Sequence, residues 1–152
     1  MNVGLLASKA AVALLNSADP ALSTVTHFYA EASDPEDTET NSAIVRLHPC
    51  AVCYFTDAHE YPALTGNYNG NLTIQIEASA DDHTAAQFEA MFDEVWGFIV
   101  NDDIITRLSD VGEDFTAHGF WAALGQTDQT VNNRLRQKAI ILPINCCPRD
   151  IL

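Results

Sequence analysis

The segment Asn71-Leu-Thr-Ile-Gln-Ile-Glu-Ala78 decides the fold, because its apolar and polar residues alternate with a period of two. This alternation is typical of a β-strand with one face toward a core and the other toward water. Such strands are characteristic of antiparallel sheets, whose second face can stay in contact with solvent. The sequence therefore predicts an antiparallel sheet, with this segment as its clearest strand.

The next segment, residues 82–100, has helical periodicity instead. Apolar residues recur at spacings of three and four, at Ala85, Phe88, Met91, Phe92, Val95, Phe98 and Ile99. The opposite face carries Gln87, Glu89, Asp93 and Glu94. Asp81 or Asp82 is the expected N-cap, where a carboxylate also meets the positive end of the helix dipole. We expect this amphipathic helix to pack on the apolar face of the sheet.

The remaining elements follow from the same periodicities. Helices are predicted at 3–16 and 104–109, and strands at 22–32, 43–55, 115–124 and 131–146, the last two forming a hairpin. Polar connections are predicted at 31–39, 56–70 and 125–130. The predicted fold class is α+β: a single, largely antiparallel β-sheet with the long amphipathic helix and the N-terminal helix packed on one side. Without a repeat or a linker, residues 1–152 are expected to form one domain.

The composition limits the possible functions. The 152 residues include 21 Asp plus Glu but only 7 Lys plus Arg, which gives a formal net charge of −14. A field this negative disfavours binding to DNA, RNA or anionic membranes. No apolar run approaches the ~20 residues that cross a bilayer, and Lys9 interrupts the only stretch that resembles a secretory signal. We therefore expect a soluble protein without sequence-specific nucleic-acid binding.

Four cysteines raise the possibility of a zinc site. They occur as Cys50-x-x-Cys53, just after His48, and as the adjacent pair Cys146 and Cys147. Both pairs lie in strand-like runs, where positions one or three apart point to opposite faces of a sheet. Because zinc needs ligands that converge on one point, we expect buried thiols that behave as small hydrophobic residues. No metal and no disulfide are predicted.

No catalytic signature is present. A phosphate-binding glycine loop, a nucleophile elbow and a metal-binding His-Glu-x-x-His helix are all missing. Asp57, His59 and Glu60 are interpreted as loop residues in water, and Phe120, Trp121, Trp96 and Tyr54 as core aromatics. We expect neither enzymatic activity nor a cofactor.

The charges are distributed unevenly along the chain. Residues 1–130 carry a net charge of −17 and residues 131–152 a net charge of +3. Arg134, Arg136 and Lys138 are spaced by two, so in a strand they would project from one face. That face is either simply solvated or a contact with the acidic loop of a second copy. Such a contact joins two different surfaces, and when it closes it forms a ring. The candidate interface residues are Arg134, Arg136, Lys138, Glu31, Asp34, Glu36, Asp37 and Glu39.

The order of these elements resembles the tail terminator proteins of long-tailed bacteriophages. The resemblance rests on the helix at 3–16, the early strand with its acidic loop, and the strand at 43–55. It continues through Gly70-Asn-Leu-Thr-Ile-Gln-Ile-Glu-Ala78, Asp81-Asp82 and the long helix, and through the hairpin containing Asn133-Arg-Leu-Arg-Gln-Lys-Ala-Ile-Ile-Leu142. It covers nearly the whole chain.

The resemblance implies a non-catalytic virion protein that forms a hexameric ring, assembled in the host cytoplasm. The ring would cap the tail tube, end its polymerisation and join it to the head. Its partners would be copies of itself, the tail tube protein and a head–tail connector or stopper protein. Related neck and closure proteins share the same general architecture.

Two other functions remain open at this point. The first is an acidic DNA mimic that occupies the basic cleft of a nucleic-acid enzyme, which the size and charge suit. The second is a small metal-binding domain that uses Asp57, His59 and the cysteines.

Overall fold

A computed structural model describes residues 2–31 and 46–149. In these ranges the helices are α1 (Val3–Asn16), α2 (Ala85–Ile99) and α3 (Ile104–Val111). The strands are β1 (His27–Ala30), β2 (Cys50–Glu60), β3 (Tyr68–Ser79), β4 (Phe115–Phe120), β5 (Gly125–Gln126), β6 (Thr130–Asn132) and β7 (Leu135–Pro148). All seven strands join one sheet, which confirms the predicted α+β class.

The sheet has the strand order β1-β2-β3-β7-β4, and β5 and β6 also pair with β7. Only the β1–β2 pair is parallel. The other pairs are antiparallel. β7 therefore has β3 along one edge, from the Ser79–Leu135 pair to the Tyr68–Cys146 pair. Its other edge is covered in turn by β6, β5 and β4, so β7 is the centre of the sheet.

The alternation in β3 separates the two faces of the sheet, as predicted. Leu72, Ile74 and Ile76 are completely buried and belong to one hydrophobic cluster with residues from all three helices. We call this side the core face. Thr73, Gln75 and Glu77 point to the other side, which we call the polar face. Burying each large aliphatic side chain contributes about 1.5–3 kcal/mol, so the core face holds the helices against the sheet.

Thr84, and not Asp81 or Asp82, is the N-cap of α2. Its hydroxyl accepts a hydrogen bond from the Gln87 backbone, and the Gln87 side chain accepts one from the Thr84 backbone at 2.9 Å. This reciprocal capping box satisfies two backbone donors at once, which a single aspartate does not. The predicted helix start was therefore two to three residues early.

The β2–β3 hairpin is longer than the sequence indicated. β2 continues to Glu60, so the predicted polar connection at 56–70 shrinks to 61–67, which we call the hairpin tip. The polar residues at the end of β2 pair with the start of β3, as His59 does with Asn69. They are exposed because this part of the hairpin extends beyond the core. The predicted strand at 22–32 is also shorter, and residues 32–45, with most of the acidic loop, lie outside the described ranges.

The last section contains more pairing than predicted. Within residues 125–130, predicted to be a connection, Gly125–Gln126 form β5 and Thr130 begins β6. Asn133 and Arg134, which have φ values of 52° and 64°, make the two-residue turn between β6 and β7. Positive φ at both central positions is the signature of a type I′ hairpin turn, whose twist matches that of the strands. The single long strand predicted at 131–146 is therefore a short hairpin leading into β7.

Candidate functional site

The three predicted basic interface residues do not form one exposed strip. Arg134 lies in the β6–β7 turn and is exposed, so its predicted position on a strand was wrong. Arg136 and Lys138 do share a face of β7, but it is the core face, opposite Ala78 and Ile76. Residues spaced by two share a face only within a strand, and β7 begins at Leu135, one residue after Arg134.

Arg136 and Lys138 attach α2 to the sheet. Lys138 Nζ lies 2.8 Å from Glu89 Oε2 and 4.5 Å from the centre of the Phe92 ring. The hydrogen bond from Lys138 is the main reason that the pKa of Glu89 is lowered. Arg136 donates through Nε to the His83 carbonyl at 2.8 Å. Both cations have partners inside the monomer, which leaves Arg134 as the member of the basic set that is exposed to a second chain.

The acidic residues predicted to contact this basic set are only partly described. Glu31 is buried, 7% exposed, and its Oε1 lies 4.0 Å from an Arg46 guanidinium nitrogen. Asp34, Glu36, Asp37 and Glu39 lie outside the described residues. Glu31 therefore belongs to an ion pair within the chain.

Among the described residues, six large apolar side chains are exposed. Four of them occur as two pairs, at the hairpin tip and at the end of β4, and the other two are Leu47 and Val131. Leu64, 96% exposed, and Tyr61, 62% exposed, lie in the hairpin tip. Phe120 and Trp121, 39% and 45% exposed, lie at the end of β4, so their predicted place in the core was wrong. The indole of Trp121 donates to the Gly70 carbonyl at 2.9 Å, which fixes its orientation on the surface. Exposed apolar residues that are scattered singly are ordinary, whereas a larger contiguous apolar patch marks a contact site.

A buried polar network surrounds Glu77 on the polar face. Glu77 pairs with Cys50 across β2 and β3, and both residues are completely buried. Glu77 Oε1 lies 3.2 Å from His48 Nε2, 3.3 Å from Arg46 Nε and 3.8 Å from Cys50 Sγ. Its second oxygen accepts hydrogen bonds from the side-chain amides of Gln75 and Gln137, at 2.8 and 3.0 Å. We call these six residues the Glu77 network.

The charges of the network follow from its hydrogen bonds. Burial acts to raise the pKa of Glu77, but the Gln75 amide, the Arg46 charge and the other donors together lower it. Burial, reinforced by the Glu77 charge, raises the pKa of the Cys50 thiol to about 12. At neutral pH the network therefore contains a carboxylate, a guanidinium and a neutral thiol. A buried carboxylate needs such partners, because an unpaired one would be strongly destabilising.

The cysteines occupy the positions that strand geometry predicts. Cys53 lies in the hydrophobic cluster on the core face, whereas Cys50 belongs to a second small cluster with Val52 and Tyr54 on the polar face. Cys146 is buried in the core, and its neighbour Cys147 is partly exposed beside His118, at 3.2 Å from Nε2. The two cysteines of each pair therefore point to opposite faces of the sheet.

The loop residues considered for metal binding stay apart from the cysteines. Asp57 and His59 are exposed on the β2–β3 hairpin, where His59 Nδ1 lies 3.0 Å from the Asp57 carbonyl. Among the described residues, a different set brings three potential ligand atoms within 4.8 Å of one another: His48, Cys50 and Glu77. Sequence reasoning named His48 and Cys50 but missed Glu77, because only the register between β2 and β3 brings the carboxylate to them.

No helix in the described parts of the chain is long and apolar enough to cross a membrane. No protein-family model matches the sequence, and no curated protein matches it either.

Proposed function

We propose that this protein is a structural subunit of a bacteriophage virion, which forms a ring of the tail terminator type. The ring caps the tail tube, ends its polymerisation and joins the tail to the head connector. The observation that carries this proposal is the exposure of four large apolar side chains on one sheet, Tyr61 with Leu64 at the hairpin tip and Phe120 with Trp121 at the end of β4. The α+β fold and its element order agree with the architecture that the resemblance implies.

Assembly of this chain requires a favourable term that outweighs charge repulsion. Each copy carries a formal charge of −14, so neighbouring copies repel one another. Fully burying an exposed large apolar side chain contributes about 1.5–3 kcal/mol, so the exposed apolar pairs are the source of this term. Contacts made by two different sites on each copy are heterologous, and they form a ring when the rotation between neighbouring copies closes on itself.

The basic strip, which consists of Arg134, Arg136 and Lys138, contributes less to this contact than the uneven charge distribution along the sequence predicted. Arg134 alone of its three residues is exposed at a turn, where it can meet an acidic neighbour at the rim of the contact. Exposed ion pairs contribute at most about 1 kcal/mol, so the apolar pairs dominate the energy of the proposed interface.

The mass and shape of the protein in solution test the proposal. Light scattering and negative-stain imaging of the wild-type chain are expected to give a ring of hexamer mass. The double variant Tyr61→Ser/Leu64→Ser should be monomeric at the same concentration. Leu47→Ser is the matched control, because Leu47 is 58% exposed but lies outside both apolar pairs, and it should still form rings.

Two results would contradict the proposal. One is a wild-type chain that stays monomeric at all concentrations, and the other is a hairpin-tip variant that forms rings as well as the wild type does. A monomer that forms a one-to-one complex with a nuclease or polymerase would support the acidic DNA mimic instead.

A further inference from the structure

We propose that His48, Cys50 and Glu77 bind one Zn²⁺ ion on the polar face of the sheet. The three side chains supply a nitrogen, a sulfur and an oxygen ligand, the donor types that zinc prefers. The inference is independent of ring assembly, because all three ligands belong to one copy of the chain.

The distances between the donor atoms fit a tetrahedral ion. Zinc bonds of ~2.0–2.3 Å at tetrahedral angles place neighbouring donors about 3.3–3.6 Å apart. His48 Nε2 and Cys50 Sγ lie 3.2 and 3.8 Å from Glu77 Oε1, and all three atoms lie within 4.8 Å of one another. The two distances from Glu77 Oε1 are therefore close to those that a tetrahedral ion requires.

The sheet holds two of the three ligands in place before any ion binds. Cys50 and Glu77 are directly opposite each other in the β2–β3 register, and both are completely buried. Gln75 and Gln137 hold the second carboxylate oxygen, and Oε1 is directed at His48 and Cys50 as well as at Arg46. Supporting hydrogen bonds of this kind orient metal ligands and raise their affinity. The site is therefore preorganised.

His48 provides the route from solvent. Its side chain is 24% exposed, whereas that of Glu77 is fully buried. With three protein ligands, the fourth position of a tetrahedral ion is taken by water, which can approach on the exposed side of His48.

The charge balance also favours an ion. The carboxylates of Glu31 and Glu77 with the Arg46 guanidinium leave one negative charge in excess. When Zn²⁺ binds, a Zn–S bond forms, the S–H bond of Cys50 breaks, and the proton passes to solvent. The ion adds two positive charges and the Cys50 thiolate adds one negative charge. Together they cancel the excess, so the set of Glu31, Glu77, Arg46, Cys50 and the ion is neutral. Arg46, which lies 3.3 Å from Glu77 Oε1, keeps Glu31 as its partner in this state.

Cobalt titration of the chelator-treated, reduced protein tests the site. Co²⁺ takes the place of Zn²⁺ and reports thiolate ligation through a sulfur-to-cobalt charge-transfer band. The titration contains excess Mg²⁺, which prefers oxygen ligands and therefore occupies the acidic groups on the surface. Mg²⁺ does not compete with Co²⁺ for a site that contains a thiolate. We expect one Co²⁺ per chain, a charge-transfer band, and loss of that band when Zn²⁺ is added.

Variants assign the site to these residues. Cys50→Ala should abolish the band, whereas Cys147→Ala should keep it, although Cys147 also lies beside a histidine, His118. His48→Gln should weaken Co²⁺ binding at least ~10-fold, because even the loss of a residue that only supports a ligand lowers metal affinity ~10–100-fold. Because His48 is partly exposed, this variant tests the site even when Cys50→Ala fails to fold.

The proposal is overturned by a wild-type protein that shows no charge-transfer band. It is also overturned by a band that persists in Cys50→Ala, or by an unchanged affinity in folded His48→Gln. Ring formation is read from the mass and metal binding from the absorbance, so the two proposals can fail separately.

Discussion

Gly70 shows how one position in β3 depends on the absence of a side chain. A Cβ atom built on Gly70 would overlap the ring of Phe55, which is 4% exposed and fills the space above the glycine. The Gly70 carbonyl also accepts the hydrogen bond from the Trp121 indole. The glycine thus allows a core aromatic to pack against the strand where the hairpin leaves the core.

Replacing this glycine should destabilise the protein. Gly70→Ala is expected to lower the free energy of unfolding by about 1–3 kcal/mol, because the Phe55 ring must move in a packed core. Gly97→Ala is the matched control, since Gly97 is exposed in α2 and nothing lies within 4 Å of an added Cβ. It should raise the stability by about 0.5–1 kcal/mol. Urea unfolding of both variants measures the difference, and equal midpoints would contradict the Phe55 contact.

At the scale of single residues, the sequence predicts what depends on local geometry. The opposite directions of Cys50 and Cys53 follow from the pleat of one strand and were predicted correctly. Glu77 was predicted on the solvated face, but it is completely buried at the centre of a network. Its partners Arg46 and His48 come from a segment about 30 residues away, and no local pattern gives the register that brings them together.

Glu94 connects two elements that are distant in sequence. Its carboxylate on α2 accepts hydrogen bonds from the backbone and hydroxyl groups of Ser23 and Thr24, at 2.6–3.1 Å. This clamp holds the segment between α1 and β1 against the long helix. Partial burial acts to raise the pKa of Glu94, but the hydrogen bonds from Ser23 and Thr24 together lower it.

The clamp should make stability depend on pH. Because the pKa of Glu94 is lower in the folded state, its contribution is present above the unfolded value of about 4.3 and is lost as the pH falls through the folded pKa. Glu94→Gln should lower the stability by about 1–2 kcal/mol at neutral pH. This difference should shrink in acid.

The neighbouring Asp93→Asn is the control, because Asp93 is exposed on the same helix. It should have little effect at either pH. Denaturant midpoints at neutral and acidic pH make the comparison, and a Glu94→Gln deficit that does not change with pH would contradict the clamp.

At the scale of elements, long periodic segments were predicted best. The bounds of α1 match the prediction, and the periodicities of α2 and β3 identified both elements. β5 and β6 were missed because strands of two or three residues contain no readable alternation. The Asn133–Arg134 turn was missed because it lacks the glycine that usually marks a type I′ turn.

Most basic side chains of the molecule make contacts within the chain. Five of the seven basic residues make hydrogen bonds or ion pairs within the chain, namely Arg46, Arg107, Arg136, Lys138 and Arg149. Lys9, Arg134 and Arg149 are exposed. The outer surface therefore presents acidic groups with very few cations among them.

This surface predicts how salt affects the proposed ring. Salt screens the repulsion between exposed like charges over a Debye length of ~10 Å or less, and it leaves apolar contacts intact. The fraction of ring should therefore rise between low and high salt in sedimentation experiments. An interface built on exposed pairs of basic and acidic residues would show the opposite trend. A ring that dissociates at high salt would thus contradict the apolar contact and favour the basic strip.

The central position of β7 has a consequence for how the chain folds. β7 is the last of the described strands to be synthesised, yet it separates β3 from β4, β5 and β6. Until it arrives, the inner edge of β3 lacks a partner and the short strands have nothing to pair with. An unpaired apolar edge is a template for aggregation, and pairing of distant segments is intrinsically slow. β1, β2 and β3 can pair with one another as the chain emerges, whereas β4, β5 and β6 join the sheet only once β7 is present, so the C-terminal half of the sheet is completed in one late step.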